Sequence, residues 1–198
     1  MQLSNGYIDL PPGKIANVVT CLEMRQRPAP RPDPPNVSCE LQKNDDPSTT
    51  WYRTLFRRVG APYLWCSRLT LSDEQLERAI RDSRCEIYAI RCNDSDEGLL
   101  ELDLRTPGEC ELLFFGLTDN ALGMGIGRWA MNRAINIAWS HPIDRFWVHT
   151  CSFDHPSALA FYVRSGFRPF KHQIEIMDDP RLHGVLPRDA APHIPLIE

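Results

Sequence analysis

The segment Leu122-Gly123-Met124-Gly125-Ile126-Gly127-Arg128 has the residue types and spacing that most directly suggest chemistry. Glycine at every second position lets the backbone approach a phosphate closely and aim amide N–H groups at it. A helix opening after the loop adds the partial positive charge of its N-terminus. A diphosphate is the natural guest. Gly125-x-Gly127-x-x-Ala130 formally fits the dinucleotide fingerprint G-x-G-x-x-G/A. The context fits less well. Asp119 to Leu122 separate the preceding apolar run from the first glycine, and no acid follows the next strand-like run until Asp154. A Walker loop is excluded because no Gly-Lys-Ser/Thr follows. A glycine-rich turn without a ligand is the plain alternative.

The elements around this loop follow from periodicity and punctuation. Residues 15–22 are short and β-branched and read as a strand. Residues 28–35 read Pro-Ala-Pro-Arg-Pro-Asp-Pro-Pro, which excludes helix and central strand and favours polyproline II. The stretch 25–47 is therefore expected to be a surface excursion, either a stiff linker or a ligand for a proline-binding module. Ser48 precedes a helical spacing of Trp51, Leu55, Phe56 and Val59 that Gly60 and Pro62 end. Ser72-Asp73-Glu74-Gln75 is a capping box opening a second helix. Strands are expected at 85–92, 98–105 and 111–117, the last two joined by the turn Thr106-Pro107-Gly108. A long helix follows over 125–139, a strand over 145–150, a short helix over 156–165 capped by Asp154 or His155, and a strand over 167–177. No internal repeat is visible.

The chain has 198 residues, enough for one domain with a core of its own. Its formal net charge of −4 disfavours a general grip on nucleic acid or an anionic membrane. No apolar run is long enough to span a bilayer, and Met1 to Leu10 lack the pattern of a secretory signal. Seven cysteines without a C-x-x-C pair argue against a disulfide framework and a zinc ribbon. They suit small buried hydrophobes in a reducing cytoplasm. No metal site is expected.

Two motifs in order carry a resemblance. The glycine loop is similar to the Q/R-x-x-G-x-G/A motif of the GNAT (Gcn5-related) N-acetyltransferase superfamily, matching at Gly125 and Gly127 with Leu122 in the Q/R position. Downstream, the run from His155 to Phe167 resembles the family's N-x-x-A-x-x-x-Y-x-x-x-G-F. Ala158, Tyr162, Gly166 and Phe167 match, and His155 replaces the Asn. The resemblance covers residues 48–177. It implies a single domain over 1–198 with a mixed α/β (α+β) fold: a central, mostly antiparallel sheet with helices on both faces. Residues 1–24 would supply the first strand, 25–47 an insertion before the helices, and 178–198 a proline-rich tail.

The resemblance also implies direct transfer of acetyl from acetyl-CoA to an amine. It places the pyrophosphate on Leu122, Gly123, Met124, Gly125, Ile126, Gly127 and Arg128. The thioester would lie where the fourth and fifth predicted strands splay, near Phe115, Gly116 and Leu117, with His155, Ala158 and Tyr162 completing the cofactor site. Tyr162 is the candidate acid for the leaving thiolate, since a phenol can hand on its proton. For the base, Glu111 comes first, on the same strand side as Leu113 and Phe115, and then Asp103. Glu101, His149 and His155 are further candidates. A carboxylate beside an apolar cleft has its pKa raised and can take a proton directly or through water. His149 and Cys151 share a strand face, which leaves open a cysteine nucleophile without an evident orienting partner. Trp51, Tyr52, Tyr63, Trp65, Arg53 and Arg68 either line an acceptor pocket or pack the core. Arg128 and Arg133 are candidates to reach CoA phosphates, with Arg133 equally readable as part of a solvated helix face. The expected partner is a small-molecule amine, with homodimerisation common in the family. A CoA-binding or regulatory protein without catalysis is the alternative.

Overall fold

Ser48 and Ser72 each present a hydroxyl to an orphan N–H of the helix they precede, at Trp51 and Gln75. These caps open α1 (Thr49–Gly60) and α2 (Asp73–Ile80), and the Gln75 side chain returns the bond to the Ser72 backbone. The computed structural model describes residues 5–198. The strands are β1 (Lys14–Met24), β2 (Cys39–Lys43), β3 (Cys85–Cys92), β4 (Ser95–Asp103), β5 (Glu109–Leu117), β6 (Arg145–Cys151) and β7 (Arg168–Asp178). The remaining helices are α3 (Ile126–Ala138) and α4 (Ala158–Arg164).

One sheet holds all seven strands in the order β2-β3-β4-β5-β6-β1-β7. Every pairing is antiparallel except β5 with β6. Leu99 and Leu100, adjacent on β4, show how the two faces are covered. Leu99 packs in a core with Tyr52, Phe56 and Leu76 from α1 and α2. Leu100 packs in a core with Met131, Ala134 and Tyr162 from α3 and α4. The expected mixed fold, with helices on both faces of a mostly antiparallel sheet, is what the chain adopts.

The N-terminal strand is not the first strand of the sheet. β1 lies between β6 and β7, antiparallel to both. The edge position beside β3 belongs to β2, inside the stretch read as a loop. β2 escapes a sequence reading because it is only five residues long, so its alternation of Cys39 and Leu41 against Glu40 and Gln42 is too short to stand out beside the proline run. The chain must therefore cross the molecule between β1 and β2, and the proline-rich segment makes that crossing along α3.

One cysteine pair departs from the expectation of buried thiols. Cys39 of β2 and Cys92 of β3 are register partners with Cα atoms 4.4 Å apart, and they form a disulfide. Cys21, Cys85 and Cys110 are free and buried, as expected; Cys66 and Cys151 are free and partly exposed.

The C-terminal tail is packed. Ile15, Leu64, Phe153, Leu186 and Ala191 form a separate apolar cluster. Arg181, itself buried, pairs with Asp179 and donates to the carbonyls of Ala190 and Ile194.

Candidate active site

The parallel β5–β6 ladder is short. It pairs Glu109 with Arg145, Cys110 with Phe146 and Glu111 with Trp147, and then stops. Beyond Glu111, β5 continues on β4 alone and β6 continues on β1. The two strands splay, as the resemblance implies, and the free edge of β5 from Leu113 to Leu117 faces the gap. Every second N–H along that edge is open to an acceptor.

Gly116 stands in the splay because nothing larger fits. A Cβ there would meet Val59 Cγ1 at 2.5 Å and the Trp65 ring at 3.2 Å. On the other face, Phe115 stacks on Phe161 of α4, with centroids 5.9 Å apart and planes 6° from parallel. Gly127 faces the same slot, where an added Cβ would lie 3.8 Å from Leu117 and 3.9 Å from Phe161. The slot between β5, α3 and α4 is thus apolar and narrow.

The glycine loop ends that slot. Gly123 and Gly125 have φ of +75° and +80°, which a residue with a Cβ adopts only under strain. Gly125 is the N-cap of α3 without a side-chain bond, and the first turn holds no acidic residue. The first helical bond runs from Trp129 N–H to Gly125 O. The amides of Ile126, Gly127 and Arg128 are therefore orphan donors at the positive end of the helix. Leu122 differs from the expectation, because its N–H is spent on Asp119 O. The Leu122 and Met124 side chains are exposed. Arg128 also departs from a simple phosphate contact, since its guanidinium donates to the Pro32 carbonyl at 2.5 Å.

Tyr162 is buried in the core of α3 and α4, its ring edge-on to Phe167 and Phe161. Burial, and then the charge of Asp154, push its phenol far above the ordinary value, so the proton stays on. Ala158 is half-buried beside the same core. His155 is exposed, and its Nδ1 accepts from the Ser157 N–H at 3.1 Å. His155 thus secures the start of α4, which has no side-chain cap from Ser157 itself. In the neutral ring this bond leaves the proton on Nε2.

The candidate bases separate. Glu111 does not share a face with Phe115. A bulge between the β4 pairs of Leu112 and Phe114 shifts the alternation by one residue. Glu111 therefore shares its face with Phe114 and Gly116, on the α1 side. There its Oε1 meets His149 Nδ1 at 3.2 Å. That bond raises the His149 pKa above the ordinary 6.5 against burial, with Asp154 and Glu175 adding to it. Asp103 is held by Arg105 Nε at 2.9 Å to both oxygens. Burial would raise its pKa, but the Arg105 bonds outweigh this and hold it low, which suits a structural ion pair. Glu101 is fully buried, gripped by Tyr52 and Arg68 and touched by Cys85 Sγ at 3.4 Å.

The aromatic and basic candidates of the first helices divide similarly. Trp51 donates to Asp96 at 2.8 Å and Arg53 binds Asp73 and the Leu71 carbonyl. The bonds of Trp51, Tyr52 and Arg68 hold α1 and its following loop to β4, and that of Arg53 ties α1 to the start of α2. Trp65 and Tyr63 reach the splay. Trp65 Nε1 donates to Asp154 at 3.2 Å, and Tyr63 meets His155 edge-on. Asp154 also accepts from the Thr150 hydroxyl and the Cys151 N–H, both at 2.8 Å. It is the junction of the site, yet in sequence it reads only as a helix cap. Cys151 is a poor nucleophile: burial, and then Asp154, push its thiol up to about 11.

A family model for the acetyltransferase (GNAT) family matches residues 62–167, more than half of the chain. The chain belongs to the GNAT acetyltransferase family. Solved structures of similar fold include two GCN5-related N-acetyltransferases. The one from Sphaerobacter thermophilus has a TM-score of 0.58 at 13% identity over 85% of this chain and 52% of its own. The one from Kribbella flavida has 0.55 at 17% identity over 87% and 63%. An aminoglycoside acetyltransferase from an uncultured soil metagenomic sample, in complex with trehalose, has 0.54 at 14% identity over 64% and 86%. This chain thus spans about half to two thirds of the two GCN5-related proteins. At these identities the likeness is one of fold. No curated protein matches the chain. Among the described residues, no helix is long and apolar enough to cross a membrane and no cluster suits a metal ion. In this GNAT protein the family match begins at Pro62 and ends at Phe167. It takes in the splay, the glycine loop and α4 but leaves out β1, the proline arm, β2, β7 and the tail.

Proposed function

We propose that this protein transfers an acetyl group from acetyl-CoA to the primary amine of a small molecule by direct attack. The observation that carries the reading is the N-terminus of α3, uncapped by any side chain and with its orphan amides, opening beside the splayed β5–β6 edge. A diphosphate fits the first and an extended pantetheine amide chain fits the second. Acetyl-CoA, when bound, supplies an activated thioester.

The residues of this chain then divide the work. The amides of Gly123 to Arg128 hold the diphosphate. Phe115, Phe161 and Leu117 line the slot and exclude water. The free N–H groups around Phe115, Gly116 and Leu117 pair with the amide chain and stabilise the charge that develops on the carbonyl oxygen. His149, oriented by Glu111, takes the proton of the attacking ammonium. Tyr162 gives its proton to the departing sulfur. Its raised pKa is no obstacle, because the same dry surroundings raise the pKa of a thiol leaving there. His155 Nε2–H stands in for the amide donor that the family has at its position. Glu111, Asp154 and Glu175 all act on His149, a field that draws a cationic amine.

The test is a thermal-shift panel with acetyl-CoA, CoA, NAD and ATP at equal concentration, followed by a thiol-release screen over amines. A ligand at about 100 times its Kd adds roughly 2.7 kcal/mol to stability. Shifts with both CoA species and thiol release with an amine support the reading. A shift with NAD or ATP alone overturns it.

A further inference from the structure

The proline-rich arm is bound along one stripe of α3. Arg27 donates to Asn136 at 2.7 Å, Arg31 to Asn132 at 3.2 Å, and the Pro32 carbonyl accepts from Arg128. Pro34 abuts Gly125, where an added Cβ would lie 2.9 Å from it. Arg31 also donates to the carbonyl of Arg164, at the last turn of α4, at 3.0 Å. The arm thus carries Arg31 into the groove between α3 and α4, beside Arg128 and Arg164.

Three guanidinium groups meet there, and among the described residues none of them forms an ion pair, although the charge of Arg128 also acts on Asp33. The nearby Asp33 is committed to Arg133 at 2.6 Å and to Asn132 at 2.9 Å. In a chain of net charge −4, such a cluster is a site of unmet positive charge. Burial, and then the charges of Arg128 and Arg164, lower the Arg31 pKa. An arginine nevertheless stays protonated in a protein, and the carbonyl and amide oxygens that accept from Arg31 and Arg128 carry no charge to neutralise the cluster.

We propose that Arg31, Arg128 and Arg164 bind the 3′-phosphate of coenzyme A. The proposal rests on the CoA reading of the glycine loop. That loop takes the diphosphate through backbone amides, and the arginines stand further along the helix. Asn132, which anchors Arg31, lies six residues past Ile126, about 9 Å at 1.5 Å per residue. The 3′-phosphate is one ribose away from the diphosphate. It is a phosphomonoester with two charges, which forked guanidinium donors match better than single amides do. NAD and ATP share the adenosine diphosphate but lack this phosphate, so the cluster also selects CoA against them.

The test is calorimetric titration of CoA and 3′-dephospho-CoA into the wild-type chain, Arg31→Gln and Arg164→Gln. The wild type is expected to prefer CoA about tenfold or more, the effect of one charge-assisted contact set. Each variant is expected to lose most of that preference with its affinity for dephospho-CoA unchanged. Among the described residues the Arg164 side chain makes no hydrogen bond or ion pair, so that variant remains informative if Arg31→Gln loosens the arm. Equal binding of the two ligands by the wild type overturns the proposal, as does a preference that survives both substitutions. Equal displacement of both ligands by inorganic phosphate marks a general anion site and also overturns it. Failure of the wild type to bind either ligand overturns the CoA reading itself, a result distinct from all of these.

Discussion

Glu111, in the last pair of the β5–β6 ladder, meets His149, two residues past its own ladder partner Trp147, at 3.2 Å. Had the ladder continued, backbone pairing would close the gap that a substrate needs. Because it stops there, the side chain of Glu111 reaches across to His149 and bridges the two strands at the root of the splay. The bulge in β5 turns Glu111 to the α1 side, where His149 lies. Together they form a carboxylate–imidazole pair beside the free β5 edge, the pair to which we assign the acceptance of the substrate proton.

The pH dependence follows from the sign of the His149 shift. Its pKa is raised above 6.5 by the Glu111 bond, against burial. The neutral ring accepts protons, so kcat/KM falls as pH drops through that raised value. Glu111→Gln removes the charge and moves the acid limb to lower pH. A pH–rate profile of the two proteins checks this. A limb that stays in place assigns the base elsewhere.

Tyr162→Phe deletes a hydroxyl that has no acceptor among the described residues; burial and the Asp154 charge are what shift it. We expect kcat to fall by about 10²–10⁴, the usual span for loss of general acid catalysis. The Kd for CoA stays within about threefold, since the ring packing is kept. Steady-state kinetics with calorimetry separates the two quantities.

Gly125→Ala should cost more stability than Gly123→Ala. Both positions have positive φ, worth about 1–2 kcal/mol against a residue with a Cβ. At Gly125 the new methyl also meets Pro34, whereas at Gly123 it meets nothing within 4 Å. Urea unfolding of the two variants measures the difference, and equal losses would show that the arm yields freely.

Arg181→Ala leaves the buried Asp179 carboxylate unpaired and strips donors from the Ala190 and Ile194 carbonyls. A loss of about 3–5 kcal/mol is expected. Arg181 holds Asp179 below its ordinary value despite burial. This pair therefore stabilises the fold above pH 3.8, and the contribution is lost as pH falls through the lowered value. Denaturant titrations at pH 7 and pH 3 test both statements.

The Cys39–Cys92 disulfide closes a loop spanning 53 positions. Chain-entropy arguments give such a cross-link about 4 kcal/mol. Thiol titration of the denatured protein should count five free cysteines before reduction and seven after. A count of seven before reduction would show that the pair is not joined.

Much of the site was legible because local rules set it. Ser72 with Gln75, the turn at Pro107-Gly108 and the glycines before α3 each act within a few residues. The order Gly125, Gly127, Ala158, Tyr162 and Gly166 carried the family resemblance for the same reason. Glu101 and Asp154 were harder to read, because nothing local reveals that Tyr52 and Arg68, or Trp65, will arrive to hold them.

The sequence by itself determined the elements other than β2, the glycine-opened start of α3 and the family. Only the tertiary structure decided that β1 enters the sheet between β6 and β7, that β5 slips by one residue, and that the arm crosses α3. Strand pairing and register join residues more than a hundred positions apart, as Asn17 and Glu175 show. Their energies depend on which surfaces meet, and periodicity along the chain records only that a surface exists.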